Sequence, residues 1–258
     1  MTYLALRIAR SALRRTVAHR YGTDSQQVAD LHVPVRSGPH PVAVVLHGGY
    51  WQRPYGKLVT RPLCEDLARR GWAAWNVEYR RLGRDGGGWP HTFDDVALAI
   101  DHLAALDDDR LDLERVTAVG HSAGGQLALW AGARPGFPAG APGASPRVKL
   151  HGALALGAVC DLRLAGNVAN ILVGGTPDEV PERWALADPM RQVPLDIPVG
   201  LVHAIGDETV PVKHSRAYAA AAQAAGADVT LIEPAGGHQD PINPESAAWR
   251  AGANWLAE

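Results

Sequence analysis

The chain has little of three things that mark common classes of protein: cysteine, net charge and long apolar runs. Its 258 residues include only Cys64 and Cys160 as cysteines, too few for a disulfide framework and typical of a reduced, cytoplasmic protein. The formal net charge of −2 lacks the concentrated positive field that nucleic-acid binding needs. No stretch approaches the ~18 consecutive apolar residues of a membrane span. We therefore expect a cytoplasmic protein with no nucleic-acid partner and no stable membrane insertion; whether it forms a homo-oligomer is left open.

Length and apolar content predict a single domain over residues 1–258. A chain of this size, 47% apolar, can bury about three quarters of the surface that its unfolded form exposes. Two small domains are the alternative. Residues 1–20 lack a continuous apolar core and a small-residue cleavage site, so they predict an amphipathic N-terminal helix lying on the domain rather than a secretion signal. A membrane-surface or targeting helix is the alternative there.

After residue 20, strand-like and helix-like runs alternate, which is the pattern of parallel strands joined by crossover helices. Residues 27–35 alternate between apolar and polar and predict an edge strand, whereas the β-branched run 42–46 predicts a central strand. Thr92 is expected to cap a helix that has Asp94 and Asp95 in its first turn. Residues 161–198 lack clean periodicity and predict a short cap inserted over the carboxyl edge of the sheet. The predicted strands are 27–35, 42–46, 72–78, 116–119, 154–159, 199–204 and 229–233, and the predicted helices are 56–70, 92–106, 122–133, 212–225 and 244–256.

The strongest chemical signal is the pentapeptide Gly120-His121-Ser122-Ala123-Gly124, placed between a predicted strand and a predicted helix. A serine on such a sharp turn needs small neighbours, and its hydroxyl then projects above the sheet as a nucleophile. The simpler interpretation is a Gly-Ser turn in which the serine only caps the helix.

An attacking serine also needs donors for the oxyanion that it creates. The backbone amide of Ala123 would supply one of them. The segment from His47 to Trp51 follows the central strand, and its paired glycines would let Gly49 or Tyr50 supply the second. An ordinary strand-ending turn is the alternative for this segment.

Among the eleven histidines, His238 is the candidate base, because it follows the last predicted strand through a glycine-rich approach and fits the chain order serine, acid, histidine. Three other histidines have simpler interpretations. His203 lies within a strand and is expected to be a hydrogen-bonded core residue. His214 is expected to be the exposed start of a helix, and His121 is expected to point away along the turn.

Asp207 is the candidate acid, since its loop follows the strand 199–204 and can approach the base. Asp161 is the serious rival, with the alternative role of fixing the start of the cap by bonding local amides. Glu208 is expected to be a solvated neighbour. Asp240 lies too close in sequence to His238 to orient it easily.

These motifs resemble the α/β-hydrolase family, and within it the arylformamidase (kynurenine formamidase-like) and small carboxylesterase branch. The resemblance rests on residues 47–51, 76–80, 120–124 and 237–240, and 159–162 look like the segment that opens the cap. It implies an α/β-hydrolase fold with about seven or eight strands, a Ser122–Asp207–His238 triad, no metal and no organic cofactor. The first loop lacks the third glycine of hormone-sensitive-lipase-like esterases, which disfavours that branch.

The expected function is that of a serine hydrolase acting on small or medium carboxylic esters through an acyl-enzyme. An arylformamidase that hydrolyses N-formylkynurenine-like formamides is the alternative within the same mechanism. From other classes, a lyase or acyltransferase on the same pocket and a non-catalytic ligand-binding homologue remain open. Tyr50, Trp51, Trp89 and Trp184 fall on loops near the predicted site and are candidates for contacting an aromatic substrate, with loop anchoring as the alternative.

Overall fold

A computed structural model describes residues 18–258, in which eight strands form one sheet. The strand order is β1-β2-β4-β3-β5-β6-β7-β8. Strands β1 and β2 pair antiparallel, β2 and β4 pair antiparallel, and the other neighbours are parallel, so the predicted mostly parallel sheet is confirmed. The strands are β1 Ala18–Arg20, β2 Val28–His32, β3 His40–Leu46, β4 Ala73–Val77, β5 Leu111–His121, β6 Gly152–Leu156, β7 Val199–Val202 and β8 Val229–Ile232.

Seven α-helices accompany these strands in the described part of the chain. The predicted helix 56–70 is a short 3-10 turn, Lys57–Val59, followed by an α-helix that has proline at its second position. Two further short helices lie within the predicted cap. The helices are α1 Arg61–Arg69, α2 His91–His102, α3 Ala123–Ala133, α4 Asn167–Val173, α5 Pro181–Ala187, α6 Lys213–Ala224 and α7 Ala247–Trp255.

The alternation of side chains along the central strand divides the core into two layers. Val42, Val44 and Leu46 of β3 pack in the same cluster as side chains of α2 and α3. Ala43 and Val45 pack with α1 and α7 on the opposite face. A strand covered by helices on both faces must be apolar throughout, which explains the unbroken apolar run 42–46.

Helix α3 is buried on all sides and is apolar apart from Gln126. Its residues from Ala123 to Gly132 are buried. A helix of this kind is fixed in place by packing around its whole circumference. The turn that precedes it is therefore held rigidly.

Three expectations about local structure are wrong. Strand β2 is not an edge strand, because β1 pairs along its outer side. Only residues 18–20 of the predicted N-terminal helix 1–20 are described, and they form β1; the rest of that prediction lies outside the described residues. Thr92 does not cap its helix: its hydroxyl donates to the Arg80 carbonyl and accepts from the Gly88 amide, while Pro90 takes the cap position.

Asp95, near the beginning of α2, anchors the outer part of the sheet. Its side chain is fully buried, and it accepts hydrogen bonds from the Arg80 amide, from the Arg80 guanidinium at 2.7 and 2.9 Å, and from Gln27. Gln27 lies next to β2 and Arg80 follows β4. The carboxylate therefore joins the start of the antiparallel strand β2 to the end of β4, which borders the parallel part of the sheet.

We expect Asp95→Ala to lower the free energy of unfolding by about 3 kcal/mol or more, because it leaves the Arg80 guanidinium without its buried partner. Asp94→Ala is the matched control on the same turn. It removes only a partly exposed carboxylate near the helix N-terminus, so its cost should be no more than about 1 kcal/mol. Chemical denaturation of both variants measures the difference, and equal losses would contradict this role for Asp95.

Candidate active site

Ser122 lies on a strained turn between β5 and α3. Its backbone φ is 56° and ψ is −117°, a conformation that L residues rarely adopt. The Ser122 amide donates to the Leu156 carbonyl, and its own carbonyl accepts from the amides of Gly125 and Gln126. These bonds hold the residue in a costly conformation, a pattern that is concentrated at functional sites.

The two glycines around Ser122 are required by close backbone packing. A Cβ at Gly120 would collide with the Gly124 carbonyl, and a Cβ at Gly124 would collide with the Leu46 carbonyl at the end of β3. Any larger residue at either position would push β3, β5 and α3 apart. The interpretation of the pentapeptide as a sharp strand-to-helix turn agrees with this geometry.

The loop after β3 contains three consecutive residues with positive φ: Gly49 at 115°, Tyr50 at 55° and Trp51 at 55°. A Cβ at Gly49 would overlap the Tyr55 ring, so glycine is needed there. The Trp51 indole donates to the Gln126 side chain at 3.1 Å, and the Trp51 carbonyl accepts from Leu82. The loop is thus held next to the first turn of α3, which begins at Ala123.

A buried polar cluster supports this loop from below. The ring nitrogens of His47 lie 2.8 Å from Glu78 Oε1 and 2.8 Å from the Gly48 carbonyl oxygen. The Tyr79 ring stacks on the His47 ring at 4.3 Å, and its hydroxyl donates to the His47 carbonyl. Burial alone would raise the pKa of Glu78, but His47 and Arg81 together hold it below its usual value.

Asp207 and His238 form the closest acid–imidazole contact at this edge of the sheet. His238 Nδ1 lies 2.7 Å from Asp207 Oδ2, and the other Asp207 oxygen accepts from the amides of Thr209 and Val210. Burial would raise the pKa of Asp207, but hydrogen bonds from His203, His238 and the Val210 amide outweigh it and hold the pKa well below its usual value. The carboxylate is therefore ionised and orients the His238 ring with Nε2 facing away from it.

His121 precedes Ser122 in the sequence and contacts His238 in the structure. We had expected its side chain to point away along the turn. Its Nε2 lies 2.8 Å from the His238 carbonyl oxygen, and the two rings are 4.6 Å apart. Burial, followed by the proximity of His238, lowers the pKa of His121 to about 3. A neutral His121 thus donates to the backbone that carries His238.

The other acidic and imidazole candidates have structural partners. His203 is fully buried and hydrogen-bonded to Ser215 and the Val210 carbonyl, as expected for a core histidine, and its Nε2 also lies 3.3 Å from Asp207 Oδ2. Asp161 accepts from the amide and guanidinium of Arg163 at the start of the cap. These contacts agree better with the alternative role of Asp161, which is to fix the start of the cap, than with a role as the acid that orients His238.

A cavity of about 110 Å³ opens beside Ser122. Its polar lining side chains are Ser122, Thr209 and His214. Tyr50 and Ala123 also line it, as do Leu164 and Ala165 of the cap. The remaining lining residues are Trp51, Val159, Val210 and Pro211.

The aromatic candidates do not all lie at this cavity. Tyr50 is half exposed on its rim and Trp51 is buried in its wall. Trp184 is buried within the cap, where its indole donates to the Gly175 carbonyl, and Trp89 packs against Phe93. Trp89 and Trp184 are thus placed as loop anchors rather than on the cavity wall.

The described part of the chain has neither a cluster of metal ligands nor a membrane-spanning helix. In residues 18–258, no group of three or more His, Cys, Asp or Glu side chains is arranged to hold a metal ion. None of the helices in that range has the length and apolar character to cross a bilayer. Both cysteines are buried, free thiols.

Sequence reasoning missed Gln126, which holds the Trp51 loop and also donates to the Ala187 carbonyl of the cap at 2.9 Å. It also missed the role of Glu78, although the segment 76–80 was among the motifs that carried the resemblance. The available signal was Gln126 itself, a polar residue in a predicted helix whose other residues are apolar.

Comparison with known proteins agrees with this architecture. Esterase LipC of Mycobacterium tuberculosis is 27% identical over 230 residues, which are 83% of this chain and 56% of that protein. The chain spans about half the length of the curated relatives it matches. Esterase B from Lactobacillus rhamnosis, solved with a tributyrin phosphonate, has a TM-score of 0.81 at 22% identity, covering 98% of this chain and 89% of that one. Butyrate-bound esterase Est2 of Thermogutta terrifontis has a TM-score of 0.73 at 21% identity, covering 94% and 92%.

The BD-FAE family matches residues 29–221, three quarters of the chain, a range that includes Ser122 and Asp207 but ends before His238. With its mostly parallel eight-stranded sheet, the chain has the α/β-hydrolase fold. It belongs to the BD-FAE family of the α/β-hydrolase superfamily.

Proposed function

We propose that the chain is a serine hydrolase that cleaves small or medium carboxylic esters through an acyl-enzyme. The observation that carries the proposal is the 2.7 Å contact between Asp207 and His238 Nδ1, at the same sheet edge as a serine on a strained turn. This contact directs the proton of His238 to Nδ1 and leaves Nε2 free to act as a base.

In the proposed reaction, Ser122 attacks the ester carbonyl while His238 Nε2 takes the hydroxyl proton. The amide of Ala123 and that of Gly49 or Tyr50 hold the oxyanion, each lowering the barrier by about 3–4 kcal/mol. His238 then gives the proton to the departing alcohol. Water, activated by the same imidazole, releases the acyl group and restores Ser122.

The relatives and the size of the cavity both favour short ester substrates. LipC is named an esterase, and the structural neighbours include esterases bound to butyrate and to a tributyrin phosphonate. The cavity beside Ser122 measures about 110 Å³, and most of the residues that line it are apolar. A short acyl chain is the group that such a cavity would hold.

An arylformamidase is the second candidate, favoured by the same small cavity. A formyl group is the smallest acyl group, and the Ser122 machinery would act on a formamide as it acts on an ester. The aromatic amine would then leave on the side of His238.

Asp207→Asn should lower kcat for an aryl ester by about 10⁴-fold, because an amide favours the wrong tautomer of His238. Asp161→Asn is the matched control. It alters a carboxylate that pairs with the exposed Arg163 guanidinium, so kcat should stay within about threefold. Stopped assays and circular dichroism measure activity and folding; the reverse ranking would move the acid to Asp161.

A fluorophosphonate probe should label the wild-type chain and fail to label Ser122→Ala. The phosphonate captures a serine only when a base activates it. Intact-protein mass spectrometry detects the adduct. Absence of labelling in a folded wild-type chain would refute the hydrolase and favour a non-catalytic ligand-binding protein.

Short-chain aryl esters should be hydrolysed with a higher kcat/KM than N-formylkynurenine on one preparation. The apolar cavity beside Ser122 gives an alkyl chain contacts that a formyl hydrogen cannot make. Parallel absorbance assays give both constants. A clear preference for the formamide would make the arylformamidase the better description.

A further inference from the structure

His203 is a buried histidine to which the proposed chemistry assigns no role. It directly follows β7, and its side chain has no exposed surface. Its Nδ1 lies 2.7 Å from the Ser215 hydroxyl oxygen, and its Nε2 lies 2.7 Å from the Val210 carbonyl oxygen. The same Nε2 lies 3.3 Å from Asp207 Oδ2, the oxygen that His238 Nδ1 contacts at 2.7 Å. Two imidazole rings therefore meet one carboxylate oxygen.

The partners of His203 decide which of its nitrogens carries the proton. A carbonyl oxygen and an ionised carboxylate oxygen only accept hydrogen bonds, so Nε2, which faces both, must be an N–H donor. The Ser215 hydroxyl can donate to Nδ1, which then needs no proton. A neutral ring with its proton on Nε2 thus satisfies every contact. That single N–H group is shared between the Val210 carbonyl and Asp207, as in a three-centre hydrogen bond.

The Asp207 carboxylate is fully buried, so its charge is balanced by hydrogen bonds from the protein. Oδ1 accepts from the amides of Thr209 and Val210, and Oδ2 faces the two rings. Burial would raise the pKa of Asp207, but the hydrogen bonds from His203, His238 and the Val210 amide hold it below its usual value. Each donor therefore takes up part of the charge that the other donors would otherwise meet.

The other titratable groups around the two rings keep one charge state at neutral pH. His121 is neutral because burial, followed by the proximity of His238, lowers its pKa to about 3. Burial also lowers the pKa of His214, which is buried and is not the exposed helix start that the sequence predicts. Burial raises the pKa of Cys160, whose Sγ lies 3.7 Å from Ser215 Oγ, to about 12. The remaining groups are Asp161, which is bound to Arg163, Asp240, which is bound to the Gly237 amide, and the exposed Glu208 and Lys213.

We propose that His203 is a positioning residue that reduces the charge with which Asp207 holds a second proton on the His238 ring. Because the His203 N–H group shares Oδ2, the carboxylate stabilises a doubly protonated His238 less than an unshared carboxylate would. His238 Nε2 therefore stays unprotonated, and able to act as a base, down to a lower pH. This inference rests on the proposed role of His238 as the base.

Removal of the His203 donor should shift the pH dependence of ester hydrolysis. In His203→Leu the unshared carboxylate favours a doubly protonated His238, so the acidic fall in kcat/KM should move to higher pH by about half a pH unit or more. His203→Gln keeps an N–H donor and an oxygen acceptor on one side chain, so its acidic fall should stay close to the wild-type pH. Aryl-ester assays from about pH 4 to about pH 9 give the three profiles.

His40→Leu is the matched control for the loss of a buried imidazole. His40 begins β3, at the opposite end of that strand from the loop beside Ser122, and its Nε2 lies 3.0 Å from the Arg36 carbonyl oxygen. Its replacement should lower the Tm without moving the acidic fall in kcat/KM. An acidic fall that is unchanged in His203→Leu, or that moves equally in His40→Leu, would overturn the proposal.

A measurement on the wild-type chain tests the shared carboxylate even if His203→Leu does not fold. In ¹⁵N-histidine spectra, His203 should carry its proton on Nε2, and this N–H resonance should change with the same pH midpoint as the His238 ring, because both N–H groups bind one oxygen. A proton on Nδ1, or a His203 resonance that stays constant across the His238 titration, would overturn the proposal. If the two rings titrate together but no ester is hydrolysed, the esterase function fails and the contact of His203 with Asp207 stands.

Discussion

The turn at Ser122 is the constraint on which the rest of the site depends. Its positive φ is maintained because Gly120 and Gly124 allow β5 and α3 to pack against the end of β3 without any intervening side chain. Since α3 is buried from Ala123 to Gly132, the turn cannot relax by moving the helix. The loops after β3, β7 and β8 meet a fixed point, and their residues are arranged around it.

The histidines at the sheet edge near Ser122 differ in their protonation and in their partners. His121 and His214 are buried and have lowered pKa values, so they stay neutral. His238 has the short contact to the ionised Asp207 carboxylate, and His203 lies 3.3 Å from the same carboxylate oxygen. Two imidazoles thus share the Asp207 charge, whereas His121 donates to the backbone carbonyl of His238.

The succession of strands and helices along the chain follows from local sequence, whereas the order of strands in the sheet, burial and long-range contacts do not. The run 42–46 and the pentapeptide around Ser122 predict their structures because strand burial and sharp turns depend on adjacent residues. The edge position assigned to residues 27–35 is wrong because β1, a strand of three residues, pairs beside it through contacts that periodicity does not record. Thr92 is a good cap by type, but the carbonyl of Arg80 offers its hydroxyl a better partner. His214 follows a proline-containing loop and is expected to be exposed by sequence, yet it is buried in the folded protein.

Gln126 hydrogen-bonds through both ends of its amide, with the oxygen on the Trp51 loop and the nitrogen on the cap at Ala187. The cap also returns to its own start through Asp188, which accepts from the Leu162 amide. The Gln126 amide thus fixes the cap to α3 at Ala187, and Asp188 fixes the beginning of the cap next to the same point. The residues between Leu162 and Asp188 therefore leave and return at one place, so that a change in the length of this closed segment would leave the Trp51 loop and the turn at Ser122 in position.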